Sequence, residues 1–273
     1  MNIIPDFIAR RLVGNRAHWP KVVRLSAWLN RVGLYFLAQA RISLRLIYPD
    51  GRYTSDHDFI VSQYALQDKI RAVLARYRAD GSAYKYFFGQ PYQGMGMAGI
   101  FGDRLTDYRF DDYELRRFIR SGDRVLDIGC NCGFIGILAS YRTACQTTGI
   151  DINPYMIEIG QLAAEHLRVA DLVELRAGRL QDYDPGPVFD VVFSFATHWT
   201  DDNNYRVSID DHMARMASYL KPGGMMIFET HCNDVGNPEF YAAMEGAKRL
   251  FAFDGFHKMT DSDTRELYLM QRR

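Results

Sequence analysis

The sequence predicts an α/β protein with a doubly wound, mostly parallel sheet of seven strands and an N-terminal helical extension. Short apolar runs rich in Val and Ile alternate with segments that have helical periodicity, which is the pattern of βαβ units. A glycine-rich turn follows the first of these runs directly and leads into a helical pattern. The first 80 residues lack this alternation and show helical spacing of apolar side chains.

The individual elements follow in chain order. Helices are predicted at residues 18–47, 56–78, 111–120, 134–141, 156–169, 212–220 and 238–251. Strands are predicted at residues 125–128, 148–151, 172–176, 189–194, 225–229, 253–258 and 265–271. We therefore expect a helical extension over residues 1–83, acting as a lid or dimerisation arm, and a catalytic domain over residues 84–273.

Composition narrows the class of protein. The 273 residues carry 33 basic and 33 acidic side chains, and this neutral balance argues against general nucleic-acid binding. The four cysteines do not form the two pairs of a tetrahedral metal site, so no metal is expected and the thiols are predicted to be free, buried and reduced. The chain lacks a recognisable signal peptide or a long apolar run, which predicts a cytoplasmic protein.

Charge is unevenly distributed along the chain. Residues 1–52 contain nine Lys and Arg against two acids. One interpretation is a basic helical face that lies on an anionic membrane or glycolipid. The other is a helix packed on the domain or on a second subunit of a homodimer, with its arginines in solvent.

The glycine-rich turn is the strongest candidate for a ligand site. Residues 124–136 read RVLDIGCNCGFIG, so an apolar strand with a carboxylate near its end meets a turn bounded by Gly129 and Gly133. Glycine permits a tight turn and close approach of a ligand, and the helix that follows directs free N–H groups at the turn. The pattern is neither the P-loop nor the three-glycine dinucleotide pattern. An acid at the strand tip suits a cationic or hydroxyl-rich ligand, and a second strand ends in Asp151.

These residues resemble the first motif of the class I S-adenosylmethionine-dependent methyltransferases, which have a Rossmann-like fold. The motif has the form acid-x-Gly-x-Gly/Asn-x-Gly, and residues 127–133 match it. A Leu-Lys-Pro-Gly-Gly turn at residues 220–224, just before a strand, is a second match. The resemblance implies S-adenosylmethionine as cofactor, with its amino-acid end on the loop and its ribose hydroxyls on Asp151. The resemblance covers residues 120–273 and almost none of the first 80.

Further cofactor contacts follow from the same resemblance. The cofactor-binding residues that it implies are Asp127, Gly129, Cys130, Asn131, Gly133, Asp151, Ile152, Arg179, Leu180, Ser194 and Phe195. Family members often have an acid at the position of Arg179, where it contacts the adenine amino group. Arginine departs from that pattern, which leaves the backbone of Leu180 or the side chain of Asp182 as alternatives.

An aromatic and glycine-rich segment over residues 84–110 is expected to be a long functional loop near the substrate. Tyrosine and glutamine side chains there can hydrogen-bond a ligand, and arginines can pair with its carboxylate or phosphate. The substrate-binding candidates are Tyr86, Tyr92, Gln93, Arg104, Arg109 and, from the loop after the fourth strand, Trp199. The competing interpretation is a packed surface loop.

Two histidines are candidates for a general base, which a hydroxyl acceptor requires. His198 follows the fourth strand and His231 follows the fifth, and ligands of such sheets bind beyond the carboxyl ends of the strands. His198 is the first choice. A structural role, a different base or no base are the alternatives.

The acceptor is the least determined feature. The cysteine-rich loop and the aromatic segment resemble bacterial methyltransferases of surface-polysaccharide biosynthesis. This resemblance implies O-methylation of a sugar, glycolipid or phosphorylated small molecule. Two alternatives are a non-catalytic, cofactor-binding scaffold and an NAD-dependent oxidoreductase; the retained acids argue against the first, and the glycine spacing against the second.

Overall fold

A computed structural model describes residues 56–80, 91, 93–100, 102, 104–199, 207–259 and 262–273. The predicted helix over residues 18–47, with its basic face, and the candidates Tyr86 and Tyr92 lie outside these residues. The chain divides into two units, Met1–Ala65 and Leu66–Arg273. In the first unit, only ten residues at the start of one helix are described.

The helices and strands alternate as the sequence predicts. The helices are α1 (Asp56–Asp80), α2 (Thr106–Asp112), α3 (Phe134–Thr143), α4 (Pro154–His166), α5 (Ile209–Tyr219) and α6 (Pro238–Ala247). The strands are β1 (Gln93–Gly94), β2 (Arg104–Leu105), β3 (Arg124–Ile128), β4 (Gln146–Asp151), β5 (Val173–Ala177), β6 (Phe189–Phe195), β7 (Leu220–Glu229), β8 (Phe251–Ala252), β9 (His257–Met259) and β10 (Ser262–Arg272). Short 3-10 turns lie at Gly96–Ala98, Leu115–Arg117, Leu180–Asp182 and Thr197–Trp199.

The main sheet has the strand order β5-β4-β3-β6-β7-β10-β8, with β9 paired to β10 outside this path. Strands β5, β4, β3, β6 and β7 are parallel, and β10 runs antiparallel to β7. This confirms the doubly wound fold and its single antiparallel strand after the fifth parallel one. The strand order reverses between β3 and β6, so ligands are expected beyond the carboxyl ends of these two strands.

Helices cover both faces of the sheet. Helices α3 and α4 pack on β3, β4 and β5, whereas α5 packs on β6 and β7 and against α6. On the α5 side, a continuous apolar core includes Val192, Phe228 and Phe240. Burial on both faces explains why the central strands β3 and β6 are largely apolar instead of alternating.

Helix α1 contacts the start of α4 through its last turns. The rings of Tyr77 and Tyr155 stack with centroids 4.8 Å apart, and the Tyr77 hydroxyl accepts a hydrogen bond of 3.0 Å from Nδ2 of Asn153. Asn153 is the N-cap of α4 and lies two residues after Asp151. Helix α1 is therefore attached beside the predicted ribose site.

Three predicted elements need correction. The helix predicted at 111–120 is instead α2 followed by a 3-10 turn at Leu115–Arg117, because buried Phe110 already belongs to the first of these. The described part of the segment 84–110 is not wholly irregular, since β1 and β2 pair with each other in parallel. The strand predicted at 253–258 is replaced by the short β8 and β9, on either side of an irregular stretch containing Gly255 with φ 119°.

None of the described helices combines the length and the apolar character that crossing a lipid bilayer requires.

Candidate active site

The loop between β3 and α3 is closely packed. Its backbone has positive φ at Gly129 (59°), Asn131 (54°) and Gly133 (67°). A Cβ at Gly129 would lie 2.5 Å from Cγ2 of Thr197, in the turn after β6. Glycine is thus required at this position both for its conformation and for the contact with the neighbouring turn.

Asp151 fixes this loop from the end of β4. Its Oδ2 accepts a hydrogen bond of 2.7 Å from the backbone N–H of Asn131, and its Oδ1 accepts one of 2.9 Å from the N–H of Asn153. The carboxylate thereby connects the glycine loop to the N-terminus of α4. Both oxygens lie at the edge of the sheet next to the loop, where a carboxylate can also accept hydrogen bonds from a diol.

Asp127 is buried at the end of β3, and its environment controls its charge. Burial raises the pKa of this carboxyl group to about 7; the Arg109 guanidinium opposes the rise and Asp151 adds to it. The backbone N–H of Gly136 also favours the ionised form. A partly protonated acid at neutral pH becomes fully ionised when a cation binds beside it.

The cysteines of the loop are buried and not nucleophilic. Burial raises the pKa of both Cys130 and Cys132 well above that of an ordinary thiol, with nearby Asp151 acting in the same direction. Cys145 is also free and buried, which confirms the prediction for three of the four thiols. Cys232 is exposed, so the prediction was wrong for that thiol.

The other predicted cofactor residues lie around the same edge of the sheet. Ile152 directly follows β4 and is half-buried, Arg179 is exposed, and Leu180 begins the 3-10 turn after β5. The backbone oxygen of Leu180 accepts a hydrogen bond of 3.3 Å from Nη1 of Arg215. The ring of Phe195 stacks on Phe193.

Ser194 is oriented away from that edge, toward α5. Its hydroxyl is 2.9 Å from Nε2 of His212 and 2.9 Å from Oγ1 of Thr197. Burial lowers the pKa of His212 to about 3, with His198 and Arg215 adding to the effect, so the imidazole is neutral. The Ser194 side chain therefore holds the turn after β6 in place, and a cofactor contact from this residue would come from its backbone.

His198 forms a buried pair with an acid that sequence reasoning did not identify. Its Nε2 is 2.8 Å from Oδ2 of Asp234, which also accepts a 2.6 Å hydrogen bond from the backbone N–H of His231. Since a carboxylate only accepts, the neutral His198 ring carries its proton on Nε2 and its lone pair on Nδ1. The ring packs 5.1 Å from that of Phe228. Asp234 lies in a turn 36 residues away along the chain, and no local spacing signals the pairing.

His231, the second candidate base, is half-buried and has a different environment. Its Nδ1 accepts a hydrogen bond of 3.2 Å from the backbone N–H of Asn233. This bond occupies the nitrogen within its own turn. The ring of His198, by contrast, is oriented by the buried carboxylate of Asp234.

Three arginines pair with a buried carboxylate at the end of β7. Glu229 pairs with Arg104 (3.1 Å), with Arg265 (2.6 Å) and, in direct contact, with Arg109. The Arg109 guanidinium also lies 4.5 Å from the centre of the Phe195 ring. We call Glu229, Arg104, Arg109 and Arg265 the Glu229 cluster. Sequence reasoning selected two of these arginines for a ligand anion, but not Arg265, nor Glu229 as their shared partner.

The remaining substrate candidates are partly described. Gln93 is buried on β1, directly opposite Arg104 of β2, and among the described residues no group bonds its side-chain oxygen. Trp199 ends the 3-10 turn that contains His198, and its side chain is not described. The structure thus brings Gln93, Arg104 and Arg109 to one end of the sheet, whereas Tyr86 and Tyr92 lie outside the described residues.

Comparison with known proteins decides the family. A family model described as a methyltransferase domain matches residues 119–268, more than half of the chain. The chain belongs to this methyltransferase family. Its sequence motifs and its fold are those of the class I S-adenosylmethionine-dependent methyltransferases, and enzymes of this family take their methyl group from S-adenosylmethionine.

Individual relatives are more distant. Geranyl diphosphate 2-C-methyltransferase of Streptomyces ambofaciens is 28% identical over 42% of this chain and 38% of its own length. Ubiquinone biosynthesis O-methyltransferase of Bradyrhizobium sp. is 31% identical over 46% of this chain and 49% of its own length. The chain thus spans half or less of these two curated relatives. A solved geranyl diphosphate C-methyltransferase from Streptomyces coelicolor has the same fold, with TM-score 0.50, 16% identity and coverage of 63% of this chain and 77% of that one.

The loop between β3 and α3, which we call the methyltransferase loop, and the strand ends beside it have hydrogen-bond acceptors that fit this cofactor. Asp151 has both oxygens at the sheet edge for a ribose diol, and buried Asp127 can ionise beside an ammonium group. A Cβ at Gly178 would meet no atom within 4 Å, so there is open space next to Arg179 where the adenine is expected. An acid that would contact the adenine amino group is absent at position 179, as the sequence shows.

The pKa of Asp127 predicts how cofactor binding depends on pH. The ammonium of S-adenosylhomocysteine favours an ionised Asp127, so affinity is expected to rise roughly tenfold from pH 5.5 to pH 7, where this carboxyl group loses its proton. Calorimetric titration at several pH values measures the effect, and an Asp127→Asn variant is the control. An equally steep rise in that variant would assign the titration to another group.

Proposed function

We propose that this methyltransferase transfers the methyl group of S-adenosylmethionine to an oxygen of a small-molecule or glycan acceptor. The acceptor classes are a sugar, a glycolipid or a phosphorylated small molecule of cell-surface polysaccharide biosynthesis. The observation that carries the proposal is that the turn holding the His198–Asp234 pair contacts the loop that Asp151 fixes, because Thr197, next to His198, lies against Gly129. The loop binds the methyl donor, S-adenosylmethionine, and the histidine of the pair can accept a proton.

The chemistry requires alignment and, for a hydroxyl acceptor, a base. Bound S-adenosylmethionine supplies an electrophilic methyl group on a sulfonium. We infer that His198 takes the proton of the attacking hydroxyl on Nδ1 while Nε2–H remains bonded to Asp234. This Nδ1 atom is buried among the described residues, so the acceptor must displace the side chains that cover it. Asp234 keeps the ring in this tautomer and stabilises the imidazolium that forms. Asp234 itself is held by the backbone N–H of His231.

The comparisons support methyl transfer to a small molecule without identifying the acceptor or the atom that is methylated. One relative is named for O-methylation in ubiquinone biosynthesis and another for 2-C-methylation of geranyl diphosphate. Both acceptors are small molecules rather than nucleic acids, in agreement with the neutral charge of this chain. The polysaccharide context, a cytoplasmic location, the homodimer and the domain boundary near residue 83 rest on the sequence alone and stay predictions.

Substitution of His198 tests the catalytic part of the proposal. His198→Gln is expected to lower kcat roughly 100-fold, because the variant has no base at this place, with the affinity for S-adenosylhomocysteine nearly unchanged. Asp234→Asn is expected to lose a similar factor, since an amide cannot stabilise the imidazolium. The measurement is transfer of a labelled methyl group to extracts of cell-envelope precursors. His166→Gln, at the end of α4, is the matched control.

A buried histidine–aspartate pair can also serve stability alone, and the same variants distinguish the two roles. A purely structural pair would give a lower unfolding temperature in both variants, with kcat retained in the folded fraction. Full turnover in folded His198→Gln would show that the base assignment is wrong. Cofactor binding without turnover on any extract would instead favour a non-catalytic scaffold.

A further inference from the structure

The turn that follows β7 holds the acid of the His198–Asp234 pair. Residues 231–237, which we call the Asp234 turn, lie between β7 and α6. Within the turn, the backbone N–H of Asp234 donates a hydrogen bond of 3.0 Å to the carbonyl of His231, and the N–H of Asn237 donates one of 2.9 Å to the carbonyl of Asp234. These local bonds give the turn its shape. The direction of the Asp234 carboxylate also depends on where the whole turn lies relative to the sheet.

A tyrosine hydroxyl connects the Asp234 turn to the sheet. Tyr241 lies in the first half of α6, and its hydroxyl accepts a hydrogen bond of 3.1 Å from the backbone N–H of Gly236. The same hydroxyl donates a hydrogen bond of 2.8 Å to Oε1 of Glu266, a residue of β10 that is 5% exposed. The Tyr241 hydroxyl thus uses its donor and one of its acceptor sites to hold the turn against β10. The bond to the turn is made two residues after Asp234.

Glu266 provides a fixed end for this bridge. Its backbone N–H donates to Oγ1 of Thr230 at 2.8 Å, and its carbonyl accepts a bond of 3.0 Å from the N–H of Thr230, the residue after β7. Its other carboxylate oxygen, Oε2, accepts a bond of 2.9 Å from the hydroxyl of Tyr268. Burying a carboxylate is unfavourable unless its oxygens accept hydrogen bonds, so both tyrosine bonds stabilise this arrangement. The Tyr268 hydroxyl, unlike that of Tyr241, makes no bond to the Asp234 turn within the described part of the chain.

We propose that Tyr241 is a positioning residue, whose hydroxyl keeps the Asp234 carboxylate directed at Nε2 of His198. This inference rests on the proposed function, in which His198 is the base. Both side chains of the pair are 3% exposed, with Nε2 lying 2.8 Å from Oδ2 of Asp234. Little water is therefore available to replace the carboxylate if the turn moves. A shift of about 1 Å in a group that aligns a reaction costs up to about 100-fold in rate.

Nuclear magnetic resonance of the full-length protein, isotopically labelled at its histidine nitrogens, tests this proposal without an acceptor. A buried imidazole proton that is bonded to a carboxylate exchanges slowly with water and gives a resolved, downfield Nε2–H signal. The signal of His198 is identified by its absence from the His198→Gln variant. Wild-type protein is expected to give this signal. Tyr241→Phe is expected to lose the signal to exchange with water, because the turn no longer holds Asp234 against the ring.

The chain offers a matched control for this measurement. Tyr268→Phe removes the other tyrosine hydroxyl from the same carboxylate and leaves the bond to Gly236 in place, so the His198 signal is expected to persist. If Tyr241→Phe does not fold, Glu266→Gln gives a second test. Its amide oxygen still accepts the tyrosine hydroxyl but carries no charge, so the Nε2 proton of His198 is expected to exchange about fivefold faster than in the wild type.

Turnover distinguishes positioning from a role in stability alone. Tyr241→Phe is expected to lower kcat about tenfold, with the affinity for S-adenosylhomocysteine unchanged. A residue that only stabilises the fold would lower the unfolding temperature when replaced, and the folded variant would keep both the His198 signal and the wild-type kcat.

Some results would overturn the proposal. These are a His198 signal that persists in folded Tyr241→Phe, an equal loss of the signal in folded Tyr268→Phe, or no such signal in the wild type. Where Tyr241→Phe does not fold, exchange as slow in Glu266→Gln as in the wild type has the same meaning. The proposed function fails separately: full turnover in His198→Gln, with the signal lost in Tyr241→Phe, would mean that the tyrosine orients a pair that is not the base.

Discussion

Replacing Asp151 by alanine is expected to weaken binding of S-adenosylmethionine roughly 1,000-fold. Two hydrogen bonds from ribose hydroxyls to a carboxylate contribute about 2 kcal/mol each, or about 4 kcal/mol in total. The variant also loses the bonds from the N–H groups of Asn131 and Asn153, so the methyltransferase loop is no longer tied to α4. Both losses act on the same site.

Calorimetric titration with S-adenosylhomocysteine measures this effect. Asp171→Ala removes an exposed acid just before β5 and is the control, with affinity expected to be unchanged. Asp151→Asn separates the ribose contacts from the attachment of the loop to α4, because an amide oxygen can still accept one backbone hydrogen bond. Tight binding by Asp151→Ala would show that the ribose is held elsewhere.

Replacing Gly160 by alanine is expected to lower the free energy of unfolding by about 3 kcal/mol, the upper end for overpacking. Gly160 lies inside α4, and a Cβ there would be 2.1 Å from the carbonyl oxygen of Cys132 and 2.5 Å from Cδ1 of Leu175. The leucine tip can rotate, but the carbonyl belongs to the methyltransferase loop. Helix and loop must therefore separate, which also displaces the cofactor site.

Thermal and urea unfolding measure the loss of stability. Gly178→Ala is the matched control, because a Cβ at that glycine meets nothing within 4 Å, and a change of less than about 1 kcal/mol is expected. A fully stable Gly160→Ala protein would mean that α4 can move away from the loop at little cost. Cofactor affinity measured in the same variant shows whether the loop has moved.

The donor half of the site could be predicted from sequence because its signals are local. Asp127, the glycines and Asp151 lie within 25 residues, and their spacing follows from a strand, a tight turn and a helix. The alternation of apolar runs with helical segments predicted the sheet because it, too, is a local pattern. Element ends were less accurate, as at the helix expected at 111–120, since tertiary burial of Phe110 decides where the helix begins.

The acceptor half could not be predicted because its residues meet only through the fold. Asp234 lies in a turn and Arg265 in β10, and no sequence motif surrounds either of them. Their respective partners, His198 and Glu229, each lie 36 residues away along the chain. Arg104 and Arg109 were chosen as ligand contacts from residue type alone. In the structure both arginines pair with the buried carboxylate of Glu229, a contact that no spacing in the sequence indicates.

The position of β10 in the sheet has a consequence for the order of folding. Strand β8 pairs only with β10 among the described strands, although β8 precedes it in the chain, and β10 also covers β7. Strands β3, β4, β5 and β6 can assemble from one contiguous stretch, whereas the contact of Arg104 with Glu229 spans 125 residues. Long-range contacts form late because closing large loops costs entropy. A folding intermediate that binds S-adenosylmethionine before it can recognise an acceptor is therefore expected.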